Sequence, residues 1–243
     1  MDVVQTRSET EDSEESNSEN PEMELTALNT MGNRDEEYYS KLKSRASDHT
    51  FKIMCVGDYT GFGKKGGFLS DYIHNRPLSF YQKPTIGVDF YVHFIEWRET
   101  DKKKDSTVKL QFWDVAEHER FLKMTAVYCR NCSGALVFWG PKSPSRLSSA
   151  LKWSEKVKEA NSGSVPMVLV VENIPPSKRG KPMEWIGKGK TAESKEVMDR
   201  FCAKHGFAGW FELNSRYGLG YTGVMEQAVD CLVQEIFKRK LNS

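Results

Sequence analysis

A run of glycines and lysines, Gly57-Asp58-Tyr59-Thr60-Gly61-Phe62-Gly63-Lys64-Lys65-Gly66, follows directly on the apolar segment 51–56. That juxtaposition suits phosphate binding. Backbone N–H groups of a glycine-rich turn wrap an anion, a lysine neutralises the β- and γ-phosphate oxygens, and a serine or threonine hydroxyl reaches magnesium. Measured against G-x-x-x-x-G-K followed by serine or threonine, the chain has one extra residue between Gly57 and Gly63-Lys64. It also carries Lys65 where the hydroxyl would stand. On this motif alone, a lysine–glycine turn without a ligand accounts for the residues equally well. Two smaller candidates carry less. Cys129-Arg130-Asn131-Cys132 has the spacing of half a zinc site, but no second pair accompanies it and zinc usually takes four ligands. His93 alternates with apolar neighbours and reads as a polar-face strand residue.

A phosphate turn needs a strand before it and a helix after it, and the surrounding pattern supplies both. Residues 51–56 form a short apolar run, and the spacing of apolar residues over 68–74 predicts a helix. Residues 90–97 and 108–113 alternate with period two across a charged connector, which predicts an antiparallel hairpin. Residues 134–139 and 167–171 are continuous apolar runs of strand length, as in strands covered on both faces. Helices are predicted over 119–128, 145–160, 192–205 and 222–240. Strand and helix alternate after the hairpin, so one α/β domain over residues 48–243 is the economical organisation.

Two further segments give the glycine–lysine turn its context. Lys83-Pro84-Thr85-Ile86-Gly87-Val88-Asp89-Phe90 leads into the second strand, and Trp113-Asp114-Val115-Ala116-Glu117-His118-Glu119-Arg120-Phe121 leaves the third. Together with Gly57-Asp58 and Gly63-Lys64, these closely resemble the Rab family of small GTPases. The first matches the end of the Rab switch I segment from Thr85 to Phe90. The second is similar to the switch II sequence W-D-T-A-G-Q-E-R-F. Tyr128-Cys129-Arg130, Gly134 to Phe138 and Trp153 continue the likeness, which covers about 51 to 238. The resemblance implies a phosphate-loop G domain: a mostly parallel six-stranded sheet with one antiparallel hairpin strand and helices on both faces. It also implies that GTP or GDP binds at the strand ends through Gly57, Gly61, Gly63, Lys64, Lys65, Thr85, Asp114 and the backbone at Glu117. Magnesium would be held by Thr85 and, through water, by Asp114. Ile86, Phe90, Trp113 and Tyr128 would form the surface that meets protein effectors; plain strand packing explains the three aromatics about as well.

The departures from that family bear on activity. Glu117 stands where the family has a glycine whose N–H meets the γ-phosphate, and a carboxylate adds like charge there. His118 occupies the place of the glutamine that orients the attacking water, with donor and acceptor at different reach. After the fifth strand no N-K-x-D appears; the chain reads Glu172-Asn173-Ile174-Pro175. Charge-assisted hydrogen bonds are worth roughly 1.5–3 kcal/mol each, so losing that pair costs about two decades of guanine affinity. The expectation is a Rab-like protein of vesicle and membrane traffic that works through effector binding, with weakened GTP binding and impaired hydrolysis, at most a slow GTPase. The alternative is a nucleotide-independent pseudo-GTPase scaffold.

Charge and composition set the remaining bounds. The net charge of +1 conceals a segregation: residues 1–40 carry twelve acids against Arg7 and Arg34, or −10, and the rest carries +11. With no aromatic residue before Tyr38, the segment 1–47 reads as a disordered acidic tail. A basic stretch over about 174–191 reads as an insertion, either a solvated loop or a docking loop for an acidic partner. No apolar run approaches the ~20 residues of a membrane helix, and the amino terminus lacks a secretory pattern. Five cysteines make no disulfide framework. The last residues offer no cysteine for a prenyl anchor, so any membrane association would be peripheral or through a partner. A cytoplasmic monomer that binds protein rather than nucleic acid is expected.

Overall fold

The computed structural model describes residues 46–58, 65–74, 85–98, 105–118, 122–140, 147–161, 165–173, 195–214 and 221–241. The acidic segment up to residue 45, the basic stretch 174–191 and the turn residues Gly61, Gly63 and Lys64 lie outside the described residues. The strands are β1 (His49–Val56), β2 (Val88–Trp97), β3 (Ser106–Val115), β4 (Gly134–Trp139), β5 (Met167–Asn173) and β6 (Gly209–Asn214). The helices are α1 (Lys65–His74), α2 (Leu122–Cys129), α3 (Leu147–Ala160), α4 (Lys195–His205) and α5 (Tyr221–Leu241). The sheet has six strands in the order β2-β3-β1-β4-β5-β6. β2 and β3 pair antiparallel, and all other pairs are parallel.

The hairpin expected from period-two alternation is present, with Phe90 opposite Trp113 and Asp89 opposite Asp114. Arg98 Nε and Nη2 grip the Asp105 carboxylate at 2.7 and 3.1 Å across its open end. The parallel strands are continuous apolar runs because both faces are covered: every residue of β4 is buried. On one face Met54, Val56 and Val137 join Trp153 and Val157 of α3 and Met198 and Cys202 of α4. On the other, Phe51 meets Phe237 of α5 edge-on at 5.2 Å, and Tyr72 of α1 meets Phe112 at 6.1 Å. A Cβ on Gly134 would lie 3.0 Å from Leu232 and 3.1 Å from Ile236, so α5 rests almost on the sheet backbone.

The expected G-domain architecture is thus the observed one, with helix ends shifted by a few residues. β6 was not predicted from its residues: Gly209-Trp210-Phe211-Glu212-Leu213-Asn214 is short, and its parallel register with β5, Val168 to Asn173, is what makes it a strand. Among the described residues no helix is long and apolar enough to cross a membrane.

Candidate functional site

The parallel strands β1 and β3 run side by side, so the segments leaving their carboxyl ends emerge together. Gly57 leaves β1 with φ +143°, and a Cβ there would sit 2.0 Å from the Phe138 carbonyl oxygen of β4. Only glycine fits so close a backbone approach. Next to it, the Asp58 carboxylate accepts a 2.7 Å hydrogen bond from Trp153 Nε1, which ties the start of the glycine turn to α3.

The turn returns to the site at Lys65, the first residue of α1. Its side chain is 5% exposed, and Nζ donates to the Gly57 carbonyl at 3.4 Å. The same ammonium lies 3.8 Å from Asp114 Oδ1 and 3.8 Å from Glu117 Oε2. Asp114, the penultimate residue of β3, is fully buried. Its Oδ2 accepts from the Thr85 hydroxyl at 3.1 Å, while Oδ1 accepts no hydrogen bond among the described residues. Burial pushes the carboxyl pKa up to about 6, against the opposing pull of Lys65. Asp89, across the hairpin, is raised for the same reason, offset by the Thr85 hydroxyl and Lys65. Gly66 follows Lys65, and a Cβ there would meet Tyr91 Oη at 3.0 Å and Asp114 Oδ2 at 3.1 Å. The segments before β2 and after β3 are joined where Ala116 N–H donates to the Gly87 carbonyl at 2.8 Å. Gly87 adopts φ +76°.

The structure therefore brings Gly57, Lys65, Thr85, Asp114 and Glu117 to one point. His118 is exposed beside it. Of the two adjacent lysines expected to meet phosphate, Lys65 reaches the Gly57 carbonyl, and Lys64 lies outside the described residues. Sequence reasoning missed Gly66 as the residue packed on Asp114. Helix geometry supplies that contact, because residues in the first turn of α1 face β3.

The aromatic residues form a second feature. Phe90 and Trp113 meet edge-on at 5.5 Å, Trp113 and Tyr128 lie 6.4 Å apart, and Lys52 Nζ sits 4.4 Å above the Trp113 ring. Trp113 Nε1 is buried without a hydrogen-bond partner among the described residues. Ile86 is 74% exposed, and Met124 and Val127 of α2 are also exposed apolar side chains. Met124, Val127 and Tyr128 share one helix face by their three- and four-residue spacing, a signal legible in the sequence. The CxxC cysteines are free thiols whose pKa values burial raises, Cys129 to about 12 and Cys132 to about 11, so neither is poised to react.

Comparison with known proteins agrees with this geometry. The family described as "Ras of Complex, Roc, domain of DAPkinase" matches residues 52–174. The chain is 32% identical to human Ras-related protein Rab-32 over 193 residues, covering 78% of this chain and 76% of that protein. It is 31% identical to Ras-related protein Rab-32A of Dictyostelium discoideum over 197 residues, 79% and 80% of the two chains. Human Ras-related protein Rab-7L1 is 27% identical over 191 residues, 77% of this chain and 84% of that one. A six-stranded G domain with a lysine and an aspartate converging at the strand ends defines a small GTPase fold. The chain belongs to the Rab family of small GTPases.

Membership implies, in general, binding of GTP or GDP together with magnesium. The two groups fare differently here. A buried ammonium at the mouth of a glycine turn suits nucleotide phosphate. Magnesium demands near-octahedral oxygen ligands at about 2.0–2.1 Å. The start of α1 has Lys65 and Gly66 and no hydroxyl. Thr85 Oγ1 is engaged with Asp114, and Lys65 Nζ already stands beside the buried Oδ1. Among the described residues this donor set does not fit magnesium.

Proposed function

We propose that this Rab-family protein acts in membrane traffic as an effector-binding protein whose GTP binding is weakened and whose hydrolysis is impaired. The observation that carries this reading is the double ion pair of Lys65 with Asp114 and Glu117. The ammonium expected to meet phosphate oxygens is partly neutralised by the protein's own carboxylates, so a nucleotide must displace one of them. Glu117 holds a negative charge where a triphosphate would place its own, and His118 replaces the water-orienting glutamine. Effectors meet Ile86, Phe90, Trp113 and Tyr128, with Met124 and Val127 extending the apolar surface. In this reading residues 48–243 are the G domain, 1–47 an acidic extension and 174–191 a basic insertion.

The test is fluorescent GTP and GDP binding to the whole chain, with single-turnover hydrolysis measured in parallel. The expected result is saturable binding in the micromolar range with turnover at least tenfold below that of a Rab with glycine and glutamine at these positions. Turnover equal to such a Rab overturns the proposal. The position of Glu117 also favours a second reading, a scaffold that engages effectors irrespective of nucleotide. It predicts effector affinity that does not change when nucleotide is removed.

A further inference from the structure

Two positive charges usually meet the phosphates in a phosphate-loop protein: the loop lysine, and a magnesium ion held by a hydroxyl at the helix start. The carboxylate on the neighbouring strand serves the metal. In this chain Thr85 and Asp114 are kept, but the hydroxyl at the helix start is missing and an ammonium faces the carboxylate instead.

No hydroxyl stands at the start of α1. If Gly63-Lys64 sets the register, Lys65 takes the hydroxyl's position; if the lysine bonded to Gly57 sets it, Gly66 does. The Asp114 carboxylate is approached from two sides. The backbone at Gly66 approaches so closely that even a Cβ would be 3.1 Å from Oδ2, and Lys65 Nζ stands 3.8 Å from Oδ1. The Thr85 hydroxyl donates its proton to Oδ2 at 3.1 Å. Asp114 Oδ1 is a buried oxygen with no hydrogen-bond donor among the described residues, and the ammonium is the cation that faces it. A dication at this carboxylate would stand close to a buried ammonium, and like charges at such range repel strongly in a medium less polar than water.

We infer that Lys65 takes over the charge-neutralising role of the divalent metal, so that this site receives the phosphates of a guanine nucleotide without magnesium. Glu117 completes the arrangement. Its side chain is 42% exposed and reaches Lys65 from the rim, so it leaves as a phosphate arrives. Binding becomes an exchange of one anion for another on a fixed ammonium, with no metal to recruit. The inference rests on the reading above that nucleotide binding is weakened rather than abolished.

The experiment titrates the whole chain with N-methylanthraniloyl-GDP, once in excess magnesium and once in excess EDTA. The wild-type comparison decides the matter whether or not any variant folds. Equal affinities within about twofold are expected. Affinity at least tenfold weaker in EDTA overturns the inference while leaving weakened, metal-assisted nucleotide binding intact. Absence of binding in both buffers overturns the inference and turns the protein's role to the nucleotide-independent scaffold. Lys65→Met, checked for folding by circular dichroism, is expected to lower affinity at least tenfold in both buffers; unchanged affinity in that variant also overturns it.

Discussion

The ammonium of Lys65 at the start of α1 lies 3.8 Å from the carboxylate of Glu117, just beyond the end of β3. A residue of the glycine turn and a residue of the segment after β3 thus neutralise each other across the place where phosphate charge would collect. In the sequence the two are separated by the whole hairpin. They meet because β1 and β3 are parallel neighbours whose carboxyl ends open on the same side.

Removing that carboxylate has a calculable effect. Unit charges about 4 Å apart interact by about 4 kcal/mol at an effective dielectric constant near 20. Glu117 is 42% exposed, so screening reduces the effect to about 1 kcal/mol, or roughly fivefold in affinity. Glu117→Gly combined with His118→Gln is expected to strengthen triphosphate binding by that factor and to raise single-turnover hydrolysis above wild type. Turnover at background in the double variant would place the defect in the binding of nucleotide itself.

Asp114 makes stability fall with rising pH. Its folded pKa, about 6, lies above the ordinary carboxylate value because burial disfavours the charge. The stability it contributes is fully present below about pH 4 and is lost as the pH rises through about 6, amounting to roughly 2–3 kcal/mol. Urea midpoints measured from pH 4 to 7 are expected to show a steeper decline in wild type than in Asp114→Asn. Parallel curves would contradict this assignment.

Two glycines offer a contrast in backbone demand. Gly57→Ala places a Cβ 2.0 Å from the Phe138 carbonyl in a left-handed conformation, so both strands must separate. A loss of about 3 kcal/mol or more, or failure to fold, is expected on thermal denaturation. Gly87 has φ +76° with open space around it, and Gly87→Ala is expected to cost only about 1–2 kcal/mol, the left-handed penalty alone.

Ile86 tests the interaction surface with little disturbance to the fold. At 74% exposure, Ile86→Asp is expected to change stability by no more than about 0.5 kcal/mol. If the apolar surface engages effectors, the same change should weaken a purified effector at least tenfold by calorimetry. Undiminished affinity would remove Ile86 from that surface.

The class of fold was legible in local pattern. Period-two alternation in 90–97 and 108–113, and unbroken apolar runs in 134–139 and 167–171, report directly which faces of a strand are covered. The resemblance through Thr85–Phe90 and Trp113–Phe121 pointed to the family and to Thr85 and Asp114 as members of its site. β6 was not legible, because a six-residue strand with a glycine start becomes one only when β5 lies beside it.

The amino-acid sequence by itself determined the element types, the family and the loss of particular motif residues, since each depends on neighbours along the chain. The convergence of Lys65 with Asp114 and Glu117 depended on the tertiary structure. Lys65 begins α1, and its ammonium reaches the Gly57 carbonyl, Asp114 and Glu117 together, residues that lie far apart along the chain. Electrostatic partnership is set by distance through space, and only the packing of α1 on the parallel strand ends provides that distance.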